Sequence, residues 1–180
     1  MRLFVGIALA NDLTAELAQL CNRLQADGDR LRWSAAEGWH ITLQFLGNAD
    51  AEQFDCLKAS LSGVRSLAVP VRLGGLAVFD RAGAFVIEVV TSPELLALQQ
   101  RVLEATTKCD FVPEQRPYHP HITLARAKGD ARRQLQNLKT QIKRAPLLPS
   151  FTSKEFLLYE SHLGPGGSKY VVQAKYTLNA

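Results

Sequence analysis

Apolar residues along the chain fall into two rhythms, and the pair of rhythms occurs twice. Arg2 to Leu9 and Ala84 to Val90 are apolar runs rich in β-branched and aromatic side chains, the composition of strands. A helical spacing follows each one. The first carries Leu13, Leu17, Leu20 and Leu24; the second carries Leu95, Leu98 and Val102 behind Ser92 as cap and Pro93 at the first helical position. Then His40-Ile41-Thr42-Leu43 returns 81 residues on as His121-Ile122-Thr123-Leu124. The same offset relates Phe4-Val5 to Phe85-Val86, and Phe54, Leu57 and Leu61 to Leu135, Leu138 and Ile142. Asp50 and Asp130 are the caps expected for these later helices, and Val69 to Phe79 and Lys154 to Glu160 the closing strands.

This order is β-α-β-α-β twice, with Gly164 to Gly167 turning the chain into a last strand from Tyr170 to Leu178. It predicts an α+β fold: one bilobal domain over 1–180, in which two pseudo-two-fold-related lobes with mainly antiparallel sheets flank a central cleft. The lobe-forming repeats are approximately 1–80 and 83–180, and Asp80 to Gly83 reads as the crossover between them. A motif present once per half then becomes a pair lining one cleft.

Composition narrows the class. With 180 residues, 47% hydrophobic and 21% charged, the chain suits a globular core and excludes a disordered tail, a collagen-like repeat or a disulfide-dependent mini-protein. Its 21 Lys and Arg against 17 Asp and Glu, a net charge of +4, permit an anionic ligand without demanding one. Cys21, Cys56 and Cys109 are odd in number and dispersed, with no Cys-x-x-Cys, which argues against a disulfide framework and a structural zinc site and suits a reducing cytoplasm. Arg2, an apolar run and Ala8-Leu9-Ala10 imitate a cleaved signal, but the stretch is shorter than the about 15–30 residues a signal needs and reads as a strand. No apolar run approaches the roughly 20 residues that span a bilayer.

On a strand, His40 and Thr42 share one face while Ile41 and Leu43 point to the other, and His121 and Thr123 do likewise. One such histidine alone is most simply a satisfied structural residue. Two at equivalent repeat positions, each with a hydroxyl two residues on, point to chemistry. Histidine ionises near neutrality, so one copy accepts a proton while another donates one at the same pH. Two imidazoles across a cleft suit phosphodiester cleavage without a metal, with the threonine hydroxyls bonding the phosphoryl oxygens as charge builds there. The competing chemistry is a metal site from His119, His121 and His40; it lacks a nearby Asp, Glu or Cys in sequence to complete a shell. No Gly-x-Ser-x-Gly elbow supports a serine nucleophile.

His40-Ile41-Thr42-Leu43-Gln44-Phe45-Leu46-Gly47 and His119-Pro120-His121-Ile122-Thr123-Leu124-Ala125-Arg126 resemble the paired motifs of the 2H phosphoesterase superfamily. Within it the chain looks like the RNA 2′,3′-cyclic phosphodiesterase group, also called bacterial 2′-5′ RNA ligases. Phe4-Val5-Gly6-Ile7 and Leu158-Tyr159-Glu160-Ser161 with Leu163 extend the likeness over the whole chain. The resemblance implies a bilobal α+β fold, no cofactor or metal, and hydrolysis of a terminal RNA 2′,3′-cyclic phosphate to a 2′-phosphomonoester, with reversible 2′-5′ joining. It also implies the roles: His40 as proton donor, His121 as proton acceptor, and Thr42 and Thr123 as phosphate ligands. The expected partner is RNA with a cyclic phosphate end, met by a cytoplasmic monomer away from membranes. The rival readings are an RNA-end binding protein without turnover and a cyclic phosphodiesterase of a small nucleotide.

Phe45 and Arg126 each lie five residues after their histidine, so a regular strand would turn them away from it. A bulge or the strand's end must redirect them if Arg126 is to clamp phosphate and Phe45 to face a base or ribose. Otherwise Phe45 packs in the core and Arg126 caps a solvated strand end. Trp33 and Trp39 line the mouth or pack beneath it. His119 belongs to the rim or bonds a neighbouring carbonyl, and His162 sits in an exposed turn region. From Arg126 through Lys128, Arg132, Arg133, Lys139 and Lys143 to Arg144 the only acid is Asp130. That stretch is either a track for an RNA backbone or a solvated helix face.

Overall fold

The apolar run at the start forms strand β1 (Arg2–Ala8), buried from Leu3 to Ile7 in the middle of a sheet. The computed structural model describes residues 1–25, 30–127, 129–141, 148–164 and 167–179. After β1 come helix α1 (Asn11–Leu24), β2 (Arg32–Trp33), β3 (His40–Asn48), α2 (Ala51–Ser62), β4 (Val69–Val71) and β5 (Leu73–Phe79). The second half supplies β6 (Ala84–Val89), α3 (Pro93–Thr107), β7 (His121–Arg126), α4 (Arg132–Gln141), β8 (Phe151–Ser153), β9 (Glu155–Gly164) and β10 (Gly167–Thr177). The α+β class is as the periodicity predicts. Two four-stranded antiparallel sheets, β10-β9-β1-β3 and β2-β7-β6-β5, carry the two motifs, and β4 pairs with β8 apart from them.

Helices α2 and α3 begin where their caps place them. Asp50 accepts from the Gln53 amide at 2.8 Å while the Gln53 side chain returns to the Asp50 amide, a capping box at the start of α2. Ser92 accepts from the Leu95 amide at 3.1 Å ahead of Pro93. Asp130 lies in a 3-10 turn ahead of α4, and its side chain, like Ile142, is outside the described residues. One contiguous core runs under both sheets, from Leu17 and Leu20 of α1 through Ile41 and Ile122 to Leu95 and Leu98 of α3.

The sheets do not follow the repeat boundary. The closing strand of the first half, β5, pairs with β6 of the second, and the corresponding β9 pairs with β1. The turn at Asp80 to Gly83 is therefore a hairpin within one sheet and not a crossover: Gly83 takes φ +57° and its amide bonds the Asp80 carbonyl at 3.2 Å. A turn this short holds two antiparallel strands side by side, so local geometry fixes where β5 goes. β2 makes the same exchange, pairing with β7. The two halves are interlocked.

A second correction concerns the cysteines. Cys56 on α2 and Cys109 just after α3 form a disulfide with Cα atoms 5.8 Å apart, against the expectation of no disulfide. Their separation of 53 residues carries no sign of contact; α2 packing on α3 creates it. Cys21 stays free and buried in α1, where desolvation pushes its thiol up to about 12.

Gly6 shows how tightly β1 and β3 approach. A Cβ there would lie 2.8 Å from the Ile41 carbonyl oxygen and 3.7 Å from Cδ2 of His40. Gly6→Ala is expected to lower unfolding stability by about 1–3 kcal/mol, the usual cost of overpacking, read as a lower urea midpoint at constant m. An unchanged midpoint would mean the two strands part freely.

Candidate functional site

The two motif strands share one irregularity, and it builds the site. In β3 the register passes from Val5 opposite Gln44 to Gly6 opposite Thr42, leaving Leu43 without a partner. In β7 it passes from Phe85 opposite Ala125 to Val86 opposite Thr123, leaving Leu124. Each strand thus carries a bulge just after its threonine. Exposure follows suit: histidine and threonine are half-buried, the next two residues are both buried, and Phe45 and Arg126 emerge exposed. The extra residue resets the alternation, so the positions five on return to the histidine face.

His40, Thr42, Phe45, His121, Thr123 and Arg126 all line one cavity of about 480 Å³. Phe45 is 63% exposed, which excludes core packing and leaves an apolar face toward that cavity. Both histidines are held alike. His40 Nδ1 donates to the Gly38 carbonyl at 2.8 Å, and His121 Nδ1 donates to the His119 carbonyl at 2.7 Å. A carbonyl only accepts, so each Nδ1 carries a hydrogen and each Nε2 is the nitrogen free for proton exchange.

Their surroundings differ. The His40 ring packs 4.6 Å from Phe4 and 4.9 Å from Tyr170, and Tyr159, stacked on Phe4 at 4.8 Å, lies 5.9 Å from the His40 ring. Burial among these rings lowers the His40 pKa to about 4; its bond to Gly38 opposes that, and His121 and Arg126 add to it. His121 meets one ring, Phe79, at 4.9 Å. Desolvation lowers its pKa too, with the bond to His119 opposing and the Arg126 guanidinium reinforcing. Glu88, opposite it on β6, pulls back toward the charged form. The Tyr118 hydroxyl donates to the Thr42 carbonyl at 3.0 Å, tying the approach to β7 onto β3.

Apart from Trp33, the sequence did not single out the cavity's two walls. One is the segment from Arg32 to Gly38, which leaves the second sheet at β2, makes a 3-10 turn at Ala36–Gly38 and enters the first sheet at His40. The other is the start of β10, from Gly167 to Tyr170. The available signal is a basic residue beside an aromatic one in each, Arg32-Trp33 and Lys169-Tyr170. Trp33 lines the cavity, whereas Trp39 is 6% exposed and belongs to the core. His119 faces a second cavity with Phe79 and Glu88, and its carbonyl holds the His121 ring. His162 is exposed, 3.5 Å from the Glu160 carboxylate. In the basic stretch, Lys128, Lys143 and Arg144 and the side chains of Arg132 and Lys139 lie outside the described residues. Among the described residues no group of three or more His, Cys, Asp or Glu is placed to hold a metal ion, and no helix is long and apolar enough to cross a membrane.

Comparison with known proteins agrees with this arrangement. The sequence pattern of the 2′-5′ RNA ligase superfamily matches residues 15–165. An RNA 2′,3′-cyclic phosphodiesterase of Bacillus subtilis is 38% identical over 100 residues, 53% of this chain and 55% of that protein. One from Geobacillus stearothermophilus is 30% identical over 169 residues, 86% of this chain and 52% of that protein. The chain therefore spans about half the length of these two relatives. The crystal structure of E. coli LigT complexed with 3′-AMP has the same fold, with a TM-score of 0.80 at 23% identity over 99% of this chain and 98% of that one.

Proposed function

Because the chain is a member of the 2′-5′ RNA ligase superfamily, we propose that it hydrolyses RNA 2′,3′-cyclic phosphate ends to 2′-phosphomonoesters by metal-independent acid and base catalysis. The observation that carries this reading is the matched pair of histidines in one cavity, each with Nδ1 fixed on a carbonyl and Nε2 free. His121 Nε2 takes a proton from water as its oxygen attacks phosphorus. The bond from phosphorus to the 3′ oxygen breaks, and His40 delivers a proton to that oxygen. Phosphate stays on the 2′ oxygen. Thr42 and Thr123 donate to the non-bridging oxygens as their charge grows, Arg126 supplies a fixed cation, and Phe45 offers a face to the terminal base or ribose. With the 5′ hydroxyl of a second strand in the place of water, the same groups would form a 2′-5′ phosphodiester: His121 takes the hydroxyl proton, the bond from phosphorus to the 3′ oxygen breaks, and His40 protonates that oxygen. The names of the relatives support the substrate class.

The test is a defined oligonucleotide ending in a 2′,3′-cyclic phosphate, incubated with the purified protein and excess chelator. The expected product carries a 2′-phosphate, identified by phosphorus NMR; a 3′-phosphate, or loss of turnover on chelation, would refute the assignment. Arg126→Ala is expected to lower kcat/KM about tenfold to a hundredfold, the worth of one charge-assisted hydrogen bond. Because its guanidinium disfavours both imidazolium forms, the same substitution should also shift the pH profile toward alkali.

A further inference from the structure

Arg32 and Arg126 stand directly opposite each other on adjacent strands β2 and β7, both exposed and both lining the cavity that holds the histidines. Side chains in that relation are neighbours, and like charges there repel. Among the described residues no carboxylate pairs with either one. Lys169 adds a third cation from the opposite wall, against Glu37 as the one acid lining the cavity among the described residues. Such an excess of positive charge along one cavity favours an anion in between. Arg126 lies near enough to both histidines to disfavour their charged forms, which places it at the reacting phosphate. Arg32 stands one strand further out, at the edge of the sheet order β2-β7-β6-β5. Beside it Trp33, and across from it Tyr170 next to Lys169, give each wall a cation and an aromatic ring, the pairing that single-stranded nucleic acid uses for backbone and base.

We propose that Arg32 and Lys169 form a second anion subsite, which holds the phosphate esterified to the 5′ oxygen of the nucleoside that bears the cyclic phosphate. The inference rests on the proposed reaction and extends it: the site reads one phosphate beyond the one it cleaves, and so prefers a chain end to a free nucleoside cyclic phosphate. The phosphate has two sources, an internucleotide diester or a 5′-monoester.

The experiment measures kcat/KM for three substrates: a nucleoside 2′,3′-cyclic phosphate, its 5′-phosphorylated form, and a trinucleotide ending in the same group. Arg32→Gln should cost the substrates with a 5′ phosphate about tenfold more than it costs the one without, and Lys169→Gln should act in the same direction. For the trinucleotide, the slope of log kcat/KM against log salt should become shallower by about 0.7, one single-strand phosphate contact. A loss confined to the trinucleotide identifies the diester as the source; a loss shared with the 5′-monoester identifies the phosphate alone. Equal losses on all three substrates, or no loss on any, would overturn the subsite. Absence of turnover by the unaltered protein would refute the proposed reaction instead. The subsite is then decided by fluorescence anisotropy with a labelled trinucleotide ending in a 2′-phosphate. Weaker binding and a shallower salt slope in Arg32→Gln support it, and unchanged binding or no binding by the unaltered protein overturns it.

Discussion

His40→Ala and His121→Ala are each expected to lower kcat on a cyclic-phosphate-ended oligonucleotide by about 10²–10⁴, the range that a positioned acid or base contributes. The geometry gives the reason. Each Nε2 is free only because its own Nδ1 is committed to a carbonyl, and among the cavity's side chains no other imidazole stands ready to substitute. Steady-state kinetics on both variants and on the double variant check this. If the two groups act in one step as proposed, the double variant should fall little below the worse single one. His40→Asn and His121→Asn serve beside the alanine variants, because removing the His40 ring opens space against Phe4 and Tyr170. Retained activity in either histidine variant, with circular dichroism unchanged, would remove that histidine from the mechanism.

What was legible in the sequence was local or repeated. The 81-residue offset announced two equivalent strands, and the five-residue spacing called for a bulge or a strand end if Phe45 and Arg126 were to reach the cleft; the bulges lie just after Thr42 and Thr123. Capping by Asp50 and Ser92 was readable because the bonds span three residues. The missing parts are pairings between distant segments. β5 and β9 change sheets, and nothing in their own alternation names a partner strand. Cys56 and Cys109 meet because two helices pack, and Arg32 faces Arg126 because a two-residue strand crosses to the other half's sheet. A repeat reveals equivalence between positions; it does not reveal which copy of an equivalent strand is the neighbour.

Acidity gives the other large effect. Burial makes the imidazolium form costly at both histidines, so in the free protein both are chiefly neutral at pH 7: His40 titrates near 4 and His121 below its ordinary 6.5. The proposed reaction needs one ring charged and one neutral, a state most populated between those two values. The kcat/KM profile should therefore be a bell whose maximum lies on the acid side of pH 6.5, falling about tenfold per unit on its alkaline limb. At pH 9 the loss exceeds a hundredfold. Bound phosphoryl oxygens favour the imidazolium form at both rings, offsetting the Arg126 charge, so the kcat profile, which reports the bound state, should lie at higher pH than the kcat/KM profile. The bell alone does not say which ring holds the proton. His40, enclosed by aromatic groups, is the harder to charge, yet it is the proposed donor, so the substrate's charge must move the proton onto it. Arg126→Ala should narrow the gap between the two profiles by raising the free-protein values. A kcat/KM that rises steadily through pH 8 and 9 would mean that a single group titrates, and the paired-imidazole mechanism would fail.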